Sequence, residues 1–517
     1  MSNASALFRS LVVYGLCLPL AMTIGYLLAT PLDPTTLIVL GVLLFILLIP
    51  LFLRWHHIWL VASWNMTAVL FFLPGRPRLW MGMALVSFSI GVFQYTINRN
   101  LKFLHVRSMA RPLFFFAAVV LTTAGLRGGI GLRALGSPVA GGAYYLDILV
   151  AIIGYFALVS RRIPPQRAGL YVTLFILGGA TMSIGELPRV LPSSFNALFL
   201  IFPVMTGSAL IAQGPTVIGS FSGVERIQGL SSLGLGIFCV MLAHYGVRGI
   251  LLEPSKPWRL VVLTGCMLVG MMGGFRSALI LMLMTFAFLF YLERLHHTRL
   301  LPVLLVALFV GAALVTTFAS RLPFSMQRSI AFLPLDIDPA ARLSAQASTE
   351  WRLQIWRDIL PQVPQYLLLG KGYGFSTREM QMTQDLRRQG GDIEGTEMAG
   401  DYHNGPLSIL IPFGIFGMVG FIWFLWAGFR VLYQNYHFGD PAYRGWNAFL
   451  FAYFVVKAVF FFIVFGGLAL DFLQFIGVVG LSVSLNGGVA KPVVVPEPKV
   501  VFNRFRLHPS VRRPIGV

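Results

Sequence analysis

The chain has 517 residues, 57% of them hydrophobic and only 11% charged, with a formal net charge of +20. That much apolar sequence exceeds what a water-soluble core of this size needs, and no run of alternating segments of roughly ten residues suggests a β-barrel. The basic excess is no footprint of nucleic acid, because Lys and Arg in membrane proteins gather in cytoplasmic loops and fix topology.

Apolar runs fall near 11–30, 35–53, 58–73, 79–97, 112–125, 143–159, 168–184, 196–212, 230–247, 259–273, 277–292 and 299–318. After a polar gap come 405–432, 447–466 and 468–486. Many approach the roughly 20 residues that cross a bilayer. The first run has only Arg9 as a basic flank and is followed at once by another, so it reads as a retained helix and not a cleaved signal. Cys17, Cys239 and Cys266 all lie inside apolar runs, which implies no disulfide framework.

Loop charges give a topology. The Pro-rich tail after Lys491 carries Lys499, Arg504, Arg506, Arg512 and Arg513 and is placed in the cytoplasm, without a fixed fold. Counting back from it puts 319–402 outside and 248–259 and 293–299 inside. Arg99, Lys102, Arg107 and Arg111 are then internal, as are Arg161, Arg162 and Arg167. That placement demands an odd number of crossings between 168 and 213, where two runs stand, so a re-entrant or interfacial segment is expected around Leu187 to Phe202. The expected class is an all-α polytopic integral membrane protein of about 14 spans with both termini inside.

Four regions follow: a multi-span region 1–318, an extracytoplasmic loop domain 319–402, C-terminal spans 403–488 and a basic tail 489–517. The gap from Arg321 to Tyr402 holds ten of the nineteen acidic residues. Trp351, Trp356 and a Gly-rich turn inside it argue for a folded cap, with an amphipathic helix over 353–360. Asp336 and Asp338 have the spacing of a metal-binding pair but no supporting site. His56-His57 and His296-His297 flank apolar runs and read as interfacial.

The chemistry centres on Asp401-Tyr402-His403-Asn404-Gly405-Pro406, where the polar gap meets a long apolar run. Asn404 is suited to cap a helix, and Pro406 costs little in a first turn. His403 then stands just outside a helix N-terminus, where the helix dipole favours neutral imidazole while Glu394, Glu397 and Asp401 favour the charged form. A neutral imidazole can accept a proton; equally, the histidine can be incidental to a cap. Gly414, Gly417 and Gly420 follow at helical spacing and would admit a closely packed partner, with Pro412 able to kink the run. Lys457 stands well inside an apolar run, where a charge is costly, and either pairs with Asp471 or faces a cavity.

His403-Asn404, nine residues, then Gly414-x-x-Gly417 resembles the signature of the O-antigen ligase superfamily, which also includes O-antigen polymerases and protein O-oligosaccharyltransferases. Arg226 with Gly229 resembles the family's first arginine motif. Arg276-Ser277 resembles the second, in reversed order. Arg352 with Trp356 resembles its Arg-x3-Trp element, and Gly370-Lys371-Gly372 its Gly-x-Gly turn. The resemblance covers roughly 225–420. It implies a glycosyltransferase of the bacterial inner membrane, active at the periplasmic face without metal, nucleotide or other cofactor. The donor would be a polyprenyl-diphosphate glycan, and the acceptor lipid A-core, a carrier-linked glycan or a protein hydroxyl. His403 and Asn404 would be catalytic, and Arg226, Arg276 and Arg352, with Lys457, would hold the pyrophosphate; each arginine also has a topological reading. Arginine suits that leaving group because it grips several oxygens at once and keeps its proton. A transporter or lipid flippase is the rival class; it predicts paired charges in mid-membrane, inverted repeats and broken helices.

Overall fold

The computed structural model describes residues 14–15, 17–26, 29, 34–98, 103–137, 139–189, 191–203, 227–376, 400 and 402–492. Arg226, Asp401, Glu394, Glu397 and the tail beyond Lys491-Pro492 lie outside these. The protein is helical; the only strand pairing among the described residues joins β1 (Val139–Ala140) antiparallel to β2 (Phe375–Ser376).

In chain order the helices are α1 (Cys17–Tyr26), α2 (Pro34–Ser63), α3 (Leu79–Ile97), α4 (Arg107–Arg127), α5 (Gly142–Leu158) and α6 (Pro165–Glu186). They continue with α7 (Gln228–Leu251), α8 (Trp258–Met272), α9 (Arg276–Leu292), α10 (Leu300–Phe318), α11 (Phe324–Ile330) and α12 (Pro339–Ile359). The last three are α13 (Gly405–Phe438), α14 (Arg444–Ile463) and α15 (Leu468–Asn486). Among the described residues, 8 helices are long and apolar enough to cross a membrane, and four shorter apolar ones accompany them. The chain is a multi-pass helical membrane protein.

The expected runs regroup at two places. Runs 35–53 and 58–73 are not two spans: α2 continues through the polar Arg54 to His57 stretch as one helix of 30 residues. His56 and His57 are buried, and each finds a distant partner: His56 Nδ1 lies 2.7 Å from Ser87 Oγ, and His57 Nε2 2.8 Å from the Leu158 carbonyl. After α2 the chain turns at Trp64, whose indole sits against Gly154 and Gly477 and donates to the Leu473 carbonyl at 2.9 Å. The described residues of 187–202 form 3-10 turns and one short helix, Leu198–Ile201, with no full span among them.

The core is aromatic. Phe116 of α4 packs on Phe413 and Phe421 of α13 and on Phe472 of α15. Gly420 lets α4 come close, since a Cβ there would stand 3.0 Å from Phe115. The described part of the polar stretch after α10 is folded, too. Asp338 caps α12, accepting from Ala340 N at 2.8 Å, so its carboxylate serves the helix. The helix predicted over 353–360 is the end of a longer α12 of 21 residues.

Candidate functional site

α13 is broken near its start. Gly414 has φ 63° and ψ −160°, a conformation open to glycine and costly for other residues. The break diverts the bond that Ile415 N would make within the helix: it donates instead to the Leu367 carbonyl at 2.6 Å. The released carbonyls of Ile411 and Pro412 accept from Lys371 N at 2.7 Å and Gly372 N at 3.0 Å. The Gly-x-Gly turn is thus stitched into the gap. Gly370, with φ 71°, passes so close that a Cβ would strike the Pro412 carbonyl, and its own carbonyl accepts from Arg127 Nε at 2.9 Å. Gly417 lies beside Phe413 of its own helix.

Next to this turn, Tyr373 is buried among Tyr144, Tyr145 and Phe413. Burial, followed by the neighbouring Tyr402 and Tyr144 phenols, raises its hydroxyl well above the ordinary tyrosine range. The phenol therefore stays neutral and is no candidate base.

His403 stands at the head of α13. Asn404 caps the helix, its Oδ1 accepting from Leu407 N at 3.1 Å, with Pro406 in the first turn. His403 has φ 51°, left-handed and uncommon outside glycine. Trp356 of α12 fixes the chain there, its indole N–H donating to the Tyr402 carbonyl at 2.9 Å. The half-buried imidazole lies between two rings, with centroids 5.1 Å from Trp351 and 5.1 Å from Phe465.

Beside it opens a cleft of about 200 Å³ between α9, α11, α12 and Val464. Ala345, Ser348, Thr349 and Arg352 recur at three- and four-residue intervals, so α12 presents them on one face. Three guanidinium groups line the cleft: Arg276, Arg328 and Arg352. Arg276 donates through Nη2 to the Ala345 carbonyl at 3.1 Å and Thr349 Oγ1 at 3.2 Å. Arg328, buried, donates through Nε to Ser344 Oγ at 3.0 Å and through Nη1 to the Gly274 carbonyl at 2.7 Å. The Arg352 guanidinium carbon lies 5.6 Å from the Phe465 ring centroid. Phe465 therefore touches both His403 and Arg352.

Residues 260–422 match the family model described as O-antigen ligase. Over that segment, about a third of its length, the chain is similar to O-antigen ligases. Comparison with curated proteins and with solved structures gave no match. The matched segment runs from α8 past the break in α13 and contains His403, Asn404, all three cleft arginines and the four motif glycines.

Two predicted site residues fall outside that segment. Arg226 lies outside the described residues; its neighbour Ile227 has its carbonyl at the Gly273 position, in the turn leading to Arg276. Lys457 is not among the cleft residues. Its Nζ lies 2.8 Å from Asp471 Oδ1, and Asp471 Oδ2 accepts from Gly467 N at 2.8 Å. Of the two readings open to Lys457, the structure has the pairing one. Arg328 and Phe465 were not picked out from sequence. Arg328 stands in no motif, and Phe465 looks like any other member of an apolar run.

Proposed function

We propose that the chain transfers a glycan from a polyprenyl-diphosphate carrier to an acceptor hydroxyl, at the periplasmic face of a bacterial inner membrane. The observation that carries this reading is the three-arginine cleft meeting His403 across the Phe465 ring. The acceptor oxygen attacks the anomeric carbon, and the sugar–phosphate bond breaks. The electron pair leaves on the polyprenyl diphosphate, and His403 takes the acceptor proton. Arg276, Arg328 and Arg352 stabilise the charge that grows on the diphosphate oxygens, with Arg226 joining them. Cations suit that site whatever the acceptor is.

Sidedness is supported by α4. Arg107 and Arg111 stand at its start, while Arg127 at its end reaches the Gly370 carbonyl beside the site. Under the positive-inside rule the site end is external. Segment 319–402 is then an extracytoplasmic cap, and 489–517 a cytoplasmic tail.

The acceptor is read as lipid A-core, as in a ligase, ahead of a carrier-linked glycan, as in a polymerase. The test has two parts. His403→Ala should abolish glycan transfer with the protein still in the membrane; normal transfer would remove the general-base role. Surface glycans of a deletion strain then separate the acceptors. Loss of a ligase leaves polymerised glycan on its carrier, whereas loss of a polymerase leaves single repeats on core.

A further inference from the structure

α3, α4 and α5 enclose a second cavity, an apolar groove of about 630 Å³. Its walls come from the last turns of α3 (Val92, Tyr95), the middle of α4 (Phe114, Ala117) and the second half of α5 (Ile152, Phe156). Phe114 stacks on Phe156 with centroids 5.3 Å apart. These walls offer almost nothing to a sugar and suit a hydrocarbon chain.

The rim is basic. Arg107 and Arg111 are exposed and precede Phe114 by seven and three residues, which puts them on the groove's face of α4. Arg161, just beyond α5, donates through Nη2 to Gln94 Oε1 of α3 at 2.8 Å. Grooves between membrane helices with basic residues at one mouth suit anionic lipid headgroups.

The groove is not part of the cleft. α4 starts at this rim and ends at Gly370, and its 21 residues span about 30 Å. α5 runs in the opposite direction, from Tyr145, whose hydroxyl accepts from Tyr373 N at 2.8 Å, to Phe156 at the groove. A carrier lipid engaged at His403 is therefore on the other side of the bilayer from this pocket.

We infer that the groove holds an acyl chain of an anionic glycerophospholipid, with the lipid phosphate between Arg107 and Arg111. The test is native mass spectrometry of the full-length chain in mild detergent, after incubation with equal amounts of phosphatidylglycerol and phosphatidylcholine. The wild-type chain should retain phosphatidylglycerol about tenfold better. The exposed pair Arg107→Gln/Arg111→Gln should erase that preference and leave phosphatidylcholine retention unchanged. Ala117→Trp, which fills the groove, should lower retention of both lipids. Equal retention by the wild type would overturn the assignment. So would a preference that survives the arginine changes, full retention by Ala117→Trp, or displacement of phosphatidylglycerol by an equal amount of polyprenyl phosphate. None of these readings depends on glycan transfer.

Discussion

Removing either member of the Lys457–Asp471 pair should destabilise the protein by unequal amounts. The two side chains are 11% and 6% exposed, with Nζ 2.8 Å from Oδ1. Asp471→Asn leaves the Lys457 ammonium buried against an amide, and stripping one partner from a buried pair costs about 3–5 kcal/mol. Lys457→Met should cost less, about 2–3 kcal/mol, because Asp471 lies in the first turn of α15 and still accepts from Gly467 N, where the helix dipole supports its charge. In the double variant the amide introduced at position 471 still has an oxygen for Gly467 N–H, but its NH2 is short of a partner, a cost of about 1–3 kcal/mol. The double-mutant cycle should therefore show a coupling of about 4–5 kcal/mol. Equilibrium unfolding in mixed micelles measures all four corners of the cycle. Additive costs would show that the pair does not couple. Wild-type stability of Lys457→Met together with lost transfer would move Lys457 from the structural frame into the chemistry.

Other outcomes follow from the site. Gly414→Ala should cost about 2–4 kcal/mol, since it forces a side chain into φ 63° with its Cβ 2.6 Å from the Leu368 carbonyl; micelle unfolding reads the loss. Trp356→Phe keeps the ring but drops the N–H held by the Tyr402 carbonyl, so it should cost about 1 kcal/mol and lower the transfer rate through misplacement of His403, checked by rate against protein level. Arg328→Lys keeps the charge but not the fork that joins Ser344 to the Gly274 carbonyl; transfer should fall about tenfold or more, and an unchanged rate would take Arg328 out of the cleft's working set.

How much was legible in the sequence depended on how local each cause was. Asn404 and Pro406 act within one helical turn, so the head of α13 could be read directly from the residues. Most span positions were legible for the same reason, because an apolar run records its own burial. The break at Gly414 was not, since it depends on a turn some forty positions upstream supplying Lys371 N, Gly372 N and the Leu367 carbonyl. A proline at 412 suggests a kink but not what fills it. The continuity of α2 was hidden likewise. Arg54 to His57 look like a membrane boundary until Ser87 and the Leu158 carbonyl are brought to the two imidazoles. In the cleft, Arg276 and Arg352 stood in recognisable motifs, while Arg328 reaches the same space only because α11 folds back over the turn at Gly274.

The two broken helices among the described residues and a buried ion pair are features that a transporter would also have, so what occupies the breaks matters. At Gly246, with φ 62°, the N–H groups of Val247 and Arg248 are held by the two Glu293 carboxylate oxygens at 2.9 and 2.7 Å. At Gly414 the freed carbonyls are held by the Gly-x-Gly turn. Asp471 is fixed at once by Lys457 and by Gly467 N. In a carrier, unwound backbone lines a cavity and offers its polar groups to the substrate. In this chain those groups are taken by the protein's own side chains and turns, at both breaks. What the Gly414 break provides instead is an anchor: it ties the 367–372 turn to the first turns of α13, whose head carries His403. Ser408, one turn into that helix, accepts from Leu468 N at 3.1 Å, just past the loop that carries Phe465. The break, the turn and this loop therefore fix the imidazole relative to the arginine cleft, and a fixed constellation of that kind suits catalysis better than alternating access.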